Sequence, residues 1–157
     1  MNKALFSPNS DVVHYPSLIR RITAMIYDGF LACALCIFVV ATMVFLRVQL
    51  GQPMATNEIA INARWQWPTF ITCIISLCLF FSFFWIKNGQ TLGMQAWKMK
   101  IVSKDSLPIS WKQAILRYFL AWLSFGCFFI GYFWVLFDAK KQTLHDKLTK
   151  TYVIKLE

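Results

Sequence analysis

Three long apolar runs separated by polar, basic segments dominate the pattern of this chain. The first lies between Arg21 and Arg47 and contains Asp28 as its only charged residue, whereas the runs 68–86 and 118–137 contain no charge. A helix needs about 20 apolar residues to cross the hydrocarbon core of a bilayer. The pattern therefore predicts helices at about 18–46, 68–86 and 111–137, with an arm at 1–19 and a short end at 155–157. A loop is predicted at 47–67, in which Glu58 to Arg64 could form a short surface helix. Pro68 is expected in the first turn of the second helix.

Two short segments have the pattern of strands rather than helices. Met99 to Val102 alternates between apolar and basic residues, and Thr151 to Ile154 contains β-branched and aromatic residues. Short strands without a partner are unstable, so we expect these two segments to pair. The predicted fold class is an all-α membrane protein with three hydrophobic segments, the third either continuous or broken into two short helices, and a small cytoplasmic β element.

Composition and charge support a membrane location. Hydrophobic residues make up 58% of the chain and charged residues 15%, which is too apolar for an ordinary soluble domain. The formal net charge is +9, and the basic residues cluster beside the apolar runs. This arrangement favours contact with the bilayer and its anionic lipid head groups over nucleic acid as a partner.

The distribution of Lys and Arg predicts the topology, because short basic loops remain in the cytoplasm. The N-terminus, the second loop and the C-terminal tail are basic and are expected inside, with 47–67 outside. Three full crossings would place the tail outside. We therefore expect the third run to break near Ser124–Gly126 and turn back, and a single span is the alternative.

Asp28 is the first candidate for chemistry, since an aspartate within a membrane helix costs about 2.5–3.5 kcal/mol on insertion. It follows Arg21 by seven residues and so projects from nearly the same helix face. We expect its carboxylate to bind Arg21 or Arg117, because arginine offers a fork of donors that fits a carboxylate. The predicted topology brings these residues to one membrane face together with Asp138, His145 and Asp146. An ion-paired scaffold and an ion or proton path are both open interpretations.

Other kinds of site are less favoured by the sequence. No motif places a Ser or Cys nucleophile near His145, so the chain is not expected to be an enzyme. The five cysteines all lie within apolar runs, which is typical of small packing residues. Neither a disulfide, a metal site nor a cofactor is therefore expected.

Four stretches carry a resemblance to a known family: RRITAMIYD, NGQTLGMQAWKMKIV, RYFLAWLS and FWVLFDAKKQTLHDKLTKTYVI. In this order they resemble the bacterial RDD family, which is named after one arginine and two aspartates, and the likeness runs from Arg20 to Ile154. The resemblance places the family arginine on Arg21, the first aspartate on Asp28 and the second on Asp146, with Asp138 as the other candidate. The supporting positions are Gly89, Gln90, Thr91, Gly93, Arg117, His145 and Thr151.

The resemblance implies a multi-pass protein of the bacterial inner membrane with a cytoplasmic N-terminus. It also implies a transport-related function, with cation/proton antiport suggested for some members and a small cation or proton as the transported species. Because the chain has so few spans, we expect a homo-oligomer to be needed for a transport path. The alternative is a structural or accessory membrane protein that binds a protein partner or anionic lipid.

The sequence departs from the family pattern in two places. Met94 stands where many members have lysine, which leaves Arg117 as the candidate for a positive charge at the glycine turn. Thr149-Lys150 stands where many members have Ala-Gly.

Overall fold

The computed structural model of the chain is mostly helical and describes residues 14–51, 59–104, 108–126, 130–138 and 141–156. Of the predicted terminal segments, residues 1–13 and residue 157 lie outside the described residues, as do the side chains of 59–64 and 130. The elements are α1 (Leu18–Gln49), α2 (Ile59–Asn88), α3 (Leu92–Ala96), β1 (Met99–Ser103), α4 (Trp111–Gly126), α5 (Ile130–Phe133), a 3-10 helix (Trp134–Leu136), α6 (Leu144–Leu148) and β2 (Thr151–Lys155).

The chain divides into two compact units. The helical-pair unit is Gly29–Phe80, which holds most of α1 and α2. The junction unit comprises the chain up to Asp28 together with the chain from Phe81 onward. It contains both strands and all of the short helices.

The two long helices confirm the strongest part of the hydrophobic pattern. Helix α1 covers the predicted 18–46 and continues to Gln49. Leu18–Gln49 and Trp65–Asn88 are long and apolar enough to cross a membrane. In the most apolar 18-residue stretch of each helix, only 6% and 11% of the residues are buried within the chain. Large side chains such as Phe30, Ile37 and Phe38 are exposed. The apolar faces therefore do not form the core of a globular domain.

Helix α2 begins earlier than predicted, and the prediction of a loop extending to residue 67 is wrong. The helix starts at Ile59, so Pro68 lies inside it rather than in its first turn. A proline inside a helix removes one backbone donor. The hydroxyls of Thr69 and Thr72 donate to the carbonyls of Trp65 and Pro68 at 2.7 and 2.8 Å, which adds hydrogen bonds in the turns around the proline.

The predicted strand pairing is confirmed. Strands β1 and β2 are antiparallel, with Met99 opposite Lys155 and Ser103 opposite Thr151. Met99, Ile101 and Val153 are almost fully buried in the core of the junction unit. Gly89 ends α2 at φ +69°, and its carbonyl accepts from the Ile101 amide at 2.7 Å. An added Cβ at Gly89 would lie 2.8 Å from the Ile101 carbonyl oxygen, so this close approach to the sheet requires glycine.

The third apolar run does not form one helix over 111–137. Helix α4 ends at Gly126, where the sequence predicts a break, and the chain continues as α5 and the 3-10 helix after residues 127–129, which lie outside the described residues. Gly131 of α5 packs against the Ser124 side chain so closely that a Cβ would collide with the Ser124 hydroxyl. Helix α5 therefore returns against α4 instead of extending it.

Lys150 explains one departure from the family pattern in structural terms. It follows Thr149, the C-cap of α6, and has φ +53°. Such left-handed positions after a helix favour glycine, because a Cβ is strained there. The Ala-Gly that the resembled family often has here suits this turn, and the lysine in this chain adopts it at some cost in backbone strain.

Candidate functional site

The centre of the site is a carboxylate that the local sequence fixes in place. Asp146 is the third residue of α6, and Thr143 is its N-cap. The Asp146 amide donates to the Thr143 hydroxyl at 3.2 Å, and the Thr143 amide donates to the Asp146 carboxylate at 3.0 Å. This reciprocal capping box orients Asp146, whose side chain is completely buried.

Two arginines from distant parts of the chain bind this one carboxylate. Arg21 Nη1 of α1 donates to Asp146 Oδ2 at 2.8 Å, and Arg117 Nη1 of α4 donates to Asp146 Oδ1. Both guanidinium side chains are at most 7% exposed. We call Arg21, Arg117 and Asp146 the buried charge cluster. It joins α1, α4 and α6 within the junction unit.

Further hydrogen bonds hold the arginines in place. Arg21 Nη2 donates to the Lys141 carbonyl at 2.8 Å, and Arg117 Nη1 donates to the Thr151 hydroxyl at 2.8 Å. The Thr151 and Thr149 hydroxyls share a hydrogen bond of 2.9 Å. The Arg117 guanidinium also lies 5.5 Å from the centre of the Trp85 ring, within range of a cation–π interaction.

The electrostatics of the cluster follow from its burial and its two cations. Burial alone would raise the pKa of Asp146, but the guanidinium groups of Arg117 and Arg21 outweigh it and hold this pKa well below its usual range. Asp146 is therefore ionised at every physiological pH. Two positive charges and one negative charge leave the cluster with a net charge of +1.

His145 lies beside the cluster and is neutral. Burial lowers its pKa from 6.5 to about 3; the negative charge of Asp146 opposes this shift, and the guanidinium groups of Arg117 and Arg21 add to it. Its ring packs edge-on against Tyr132 with ring centres 4.9 Å apart. A buried neutral imidazole adds no charge to the cluster at neutral pH.

Asp28 lies apart from the cluster, and the prediction that it binds Arg21 or Arg117 is wrong. It accepts hydrogen bonds from the Thr91 hydroxyl at 2.5 Å and from the Gly93 amide at 2.8 Å. Thr91 is the N-cap of α3, so Asp28 satisfies an amide that has no partner within that helix. Arg21 lies about 10 Å away along the helix axis and reaches Asp146 instead.

Gly93 permits this contact between α3 and α1. A Cβ at Gly93 would lie 2.9 Å from the Asp28 carboxyl carbon and would collide with the Ala24 carbonyl. Arg117 does not supply a charge at this turn, contrary to expectation, because it binds Asp146 and Thr151. Nearby, Gln90 Nε2 donates to the Met99 carbonyl at 2.8 Å and joins the turn to β1.

Asp138 forms a separate, more exposed pair. Its carboxylate lies 2.5 Å from Lys147 Nζ and accepts from the Gln142 amide at 3.0 Å. The Lys147 side chain is 40% exposed, compared with 0% for Asp146. We expected the two arginines to lie together with three carboxylates at one membrane face. Among the described residues, Asp146 is the carboxylate that binds both arginines.

Sequence reasoning missed several residues that support the site. Thr143 was recognisable, because Thr-x-x-Asp at 143–146 resembles a capping-box signature. Gln142 donates to the Thr151 carbonyl, and Gln113 donates to the Thr149 carbonyl. These glutamines carry no local sequence signal, since their partners are distant in sequence or on another element. Among the described residues, no three His, Cys, Asp or Glu side chains form a group that could hold a metal ion.

The fold and the site define a small helical protein with two long apolar helices and a junction unit whose elements are joined by the buried charge cluster. The model of the RDD family matches residues 15–150, so the chain belongs to the RDD family. The uncharacterized protein RP437 of Rickettsia prowazekii is 40% identical over 55% of this chain and 48% of its own length. The uncharacterized protein YxaI of Bacillus subtilis is 34% identical over 55% of this chain and 58% of its own length. The chain thus spans about half the length of these curated relatives, and no solved structure matches it.

Removing the charge of Asp146 should strongly destabilise the protein. Asp146→Asn leaves two buried guanidinium groups without a counter-charge, and breaking one side of a buried pair costs about 3–5 kcal/mol. The matched control is Asp138→Asn, which breaks a partly exposed pair and should cost about 1 kcal/mol or less. Denaturant unfolding in detergent measures both free energies. Equal losses for the two variants would contradict the assignment of Asp146 as the shared counter-ion.

His145 should contribute a stability that is lost in acid. Its pKa is about 3 in the folded protein and 6.5 when unfolded, so unfolding takes up a proton below pH 6.5. The free energy of unfolding should fall by about 1.4 kcal/mol per pH unit below that point. The Asp146 contribution is lost only near the ordinary aspartate pKa of about 3.9, so measurements between pH 6.5 and about 5 separate the His145 contribution from that of Asp146.

The variant His145→Gln should lack this slope, whereas His14→Gln should retain it, because His14 is exposed. Unfolding curves of the three proteins at several pH values provide the measurement. The same pH dependence in wild type and His145→Gln would show that His145 is not buried in its neutral form.

Proposed function

We propose that this protein is an integral protein of the bacterial inner membrane, with α1 and α2 crossing the bilayer and both ends of the chain in the cytoplasm. Membership of the RDD family and the two long, apolar, externally exposed helices support membrane insertion. Two crossings return the chain to its starting side. This agrees with the basic residues near the start of α1 and in the tail, which favour the cytoplasm.

The remaining apolar segments fit this topology without a third crossing. Helix α4 has 16 residues and rises about 24 Å, which is less than the bilayer core of about 30 Å. Its residue Arg117 binds Asp146 of the tail, and Asp146 also binds Arg21 near the start of α1. In this topology, α4 and α5 enter the membrane from the cytoplasmic side and return to it.

We infer a transport-related function in which Asp28 carries a proton or a small cation, and Asp28 itself is the observation that supports it. Asp146 and Asp138 each bind a basic side chain, whereas the partners of Asp28 are a hydroxyl and an amide. No Lys or Arg among the described residues forms an ion pair with Asp28, and carboxylates within membrane helices commonly mark proton and ion paths. Two crossing helices enclose no path, so the proposal includes a homo-oligomer.

The second candidate function is a structural or accessory membrane protein that binds a protein partner or anionic lipid head groups. The buried charge cluster supports it, because that cluster joins three elements and needs no further role. Neither candidate is enzymatic. His145, the residue most suited to acid–base chemistry, is 4% exposed and covered by Tyr132.

The topology can be tested with single cysteines in a background that lacks the native five. Gln49→Cys lies at the exposed end of α1, and Lys155→Cys lies at the exposed end of β2. In intact cells, a membrane-impermeant thiol reagent should label Gln49→Cys directly and Lys155→Cys only after permeabilisation. Direct labelling of Lys155→Cys from outside would refute the proposed topology.

The role of Asp28 can be tested by reconstitution. Wild-type protein in proteoliposomes should exchange protons or a small cation when a pH gradient is applied. Asp28→Asn should abolish this flux with little loss of stability, because the amide oxygen still accepts from the Gly93 amide. Asp138→Asn is the control, and it should retain flux. No flux from correctly oriented wild-type protein would exclude the transport proposal and favour the accessory function.

A further inference from the structure

A lateral groove lies between α1 and α2 within the helical-pair unit. Its cavity volume is about 360 Å³. It is lined from α1 by residues including Val40 and Arg47 and from α2 by residues including Trp65, Phe70 and Cys73. Val40 and Phe70 are 43% and 55% exposed, so the apolar wall of the groove is open to the surroundings.

The groove is polar at one end and apolar at the other. Arg47 is in the last turn of α1, and its neighbours in the lining include Gln66 near the start of the apolar part of α2. Val40 lies seven residues before Arg47, about 10 Å along the helix axis, and Cys73 lies seven residues after Gln66. The polar and apolar ends are therefore separated by about two helical turns.

This gradient fits an amphiphile with an anionic head group. Arg47 offers a cationic fork suited to a phosphate, and Trp65 is a residue type enriched at the lipid head-group level. A free anion would leave the apolar end uncovered.

We propose that this groove binds one anionic phospholipid, with its phosphate at Arg47 and an acyl chain along Val40 and Phe70. The site rests on the proposed membrane insertion of α1 and α2. It differs from the cytoplasmic basic residues already considered for lipid contact, because Arg47 is at the opposite end of α1 from Arg21.

Native mass spectrometry of detergent-purified protein with added lipid tests the site. Wild type should retain phosphatidylglycerol in preference to phosphatidylcholine. Arg47→Gln should lower phosphatidylglycerol retention about fivefold, the effect of one basic residue at a lipid surface, and leave phosphatidylcholine retention unchanged. Lys87→Gln, which removes an exposed charge in the last turn of α2, is the matched control and should behave as wild type.

A second variant, Val40→Trp, fills the apolar end while Arg47 remains, and it should also lower phosphatidylglycerol retention. Equal losses in Arg47→Gln and Lys87→Gln would show diffuse attraction and overturn the site. A lipid-free dimer that Val40→Trp disrupts would assign the groove to a second copy and overturn it as well.

Carbonate extraction of membranes separates this proposal from the one on which it rests. Release of the wild-type protein by carbonate would refute membrane insertion. Protein that stays in the membrane but retains the two lipids equally would refute the groove site alone.

Discussion

One buried carboxylate, Asp146, neutralises two buried guanidinium groups, and the junction unit depends on this pairing. Arg21, Arg117 and Asp146 come from three parts of the chain separated by up to 125 residues. Burying a charge without a partner costs free energy. The start of α1, the middle of α4 and the tail are therefore stable only when they are packed together. The capping box of α6 and the pairing of β1 with β2 place Asp146 next to the two arginines. They also supply hydrogen-bond partners for backbone groups around the cluster.

Asp146 and Asp28, which the resemblance assigns to the family motif, have different surroundings, and this difference underlies the functional proposal. Asp146 is fixed by two cations that hold its pKa well below its usual range, which makes it a poor proton carrier. Asp28 is half-buried, and its hydrogen-bond donors among the described residues are the neutral Thr91 hydroxyl and Gly93 amide of the N-terminal end of α3. The cluster forms a fixed framework, whereas Asp28 forms no ion pair with a Lys or Arg side chain of the part of the chain that the structure describes.

The hydrophobic pattern predicted α1 and the strand pair, because each depends on local sequence: a long apolar run and an alternation. The break near Ser124–Gly126 was predicted from the basic residues of the tail, which require the chain to return to the cytoplasmic side. The same pattern placed the start of α2 at Pro68, because proline is favoured in the first turn of a helix. The backbone N–H that proline lacks is nevertheless tolerated inside this long helix, where Thr69 and Thr72 add hydrogen bonds. The partner of Arg21 could not be read from spacing on α1. It depends on α6, whose position is set by Thr143, Thr151 and the sheet.

Double-mutant cycles test most directly which aspartate binds the arginines. The free energy of unfolding in detergent is measured for Arg21→Gln, Asp146→Asn and Asp28→Asn, and for Arg21→Gln combined with each aspartate change. The account predicts a large coupling energy between Arg21 and Asp146, and additivity within about 0.5 kcal/mol for Arg21 and Asp28. Coupling of Arg21 to Asp28, with additivity for Asp146, would contradict it.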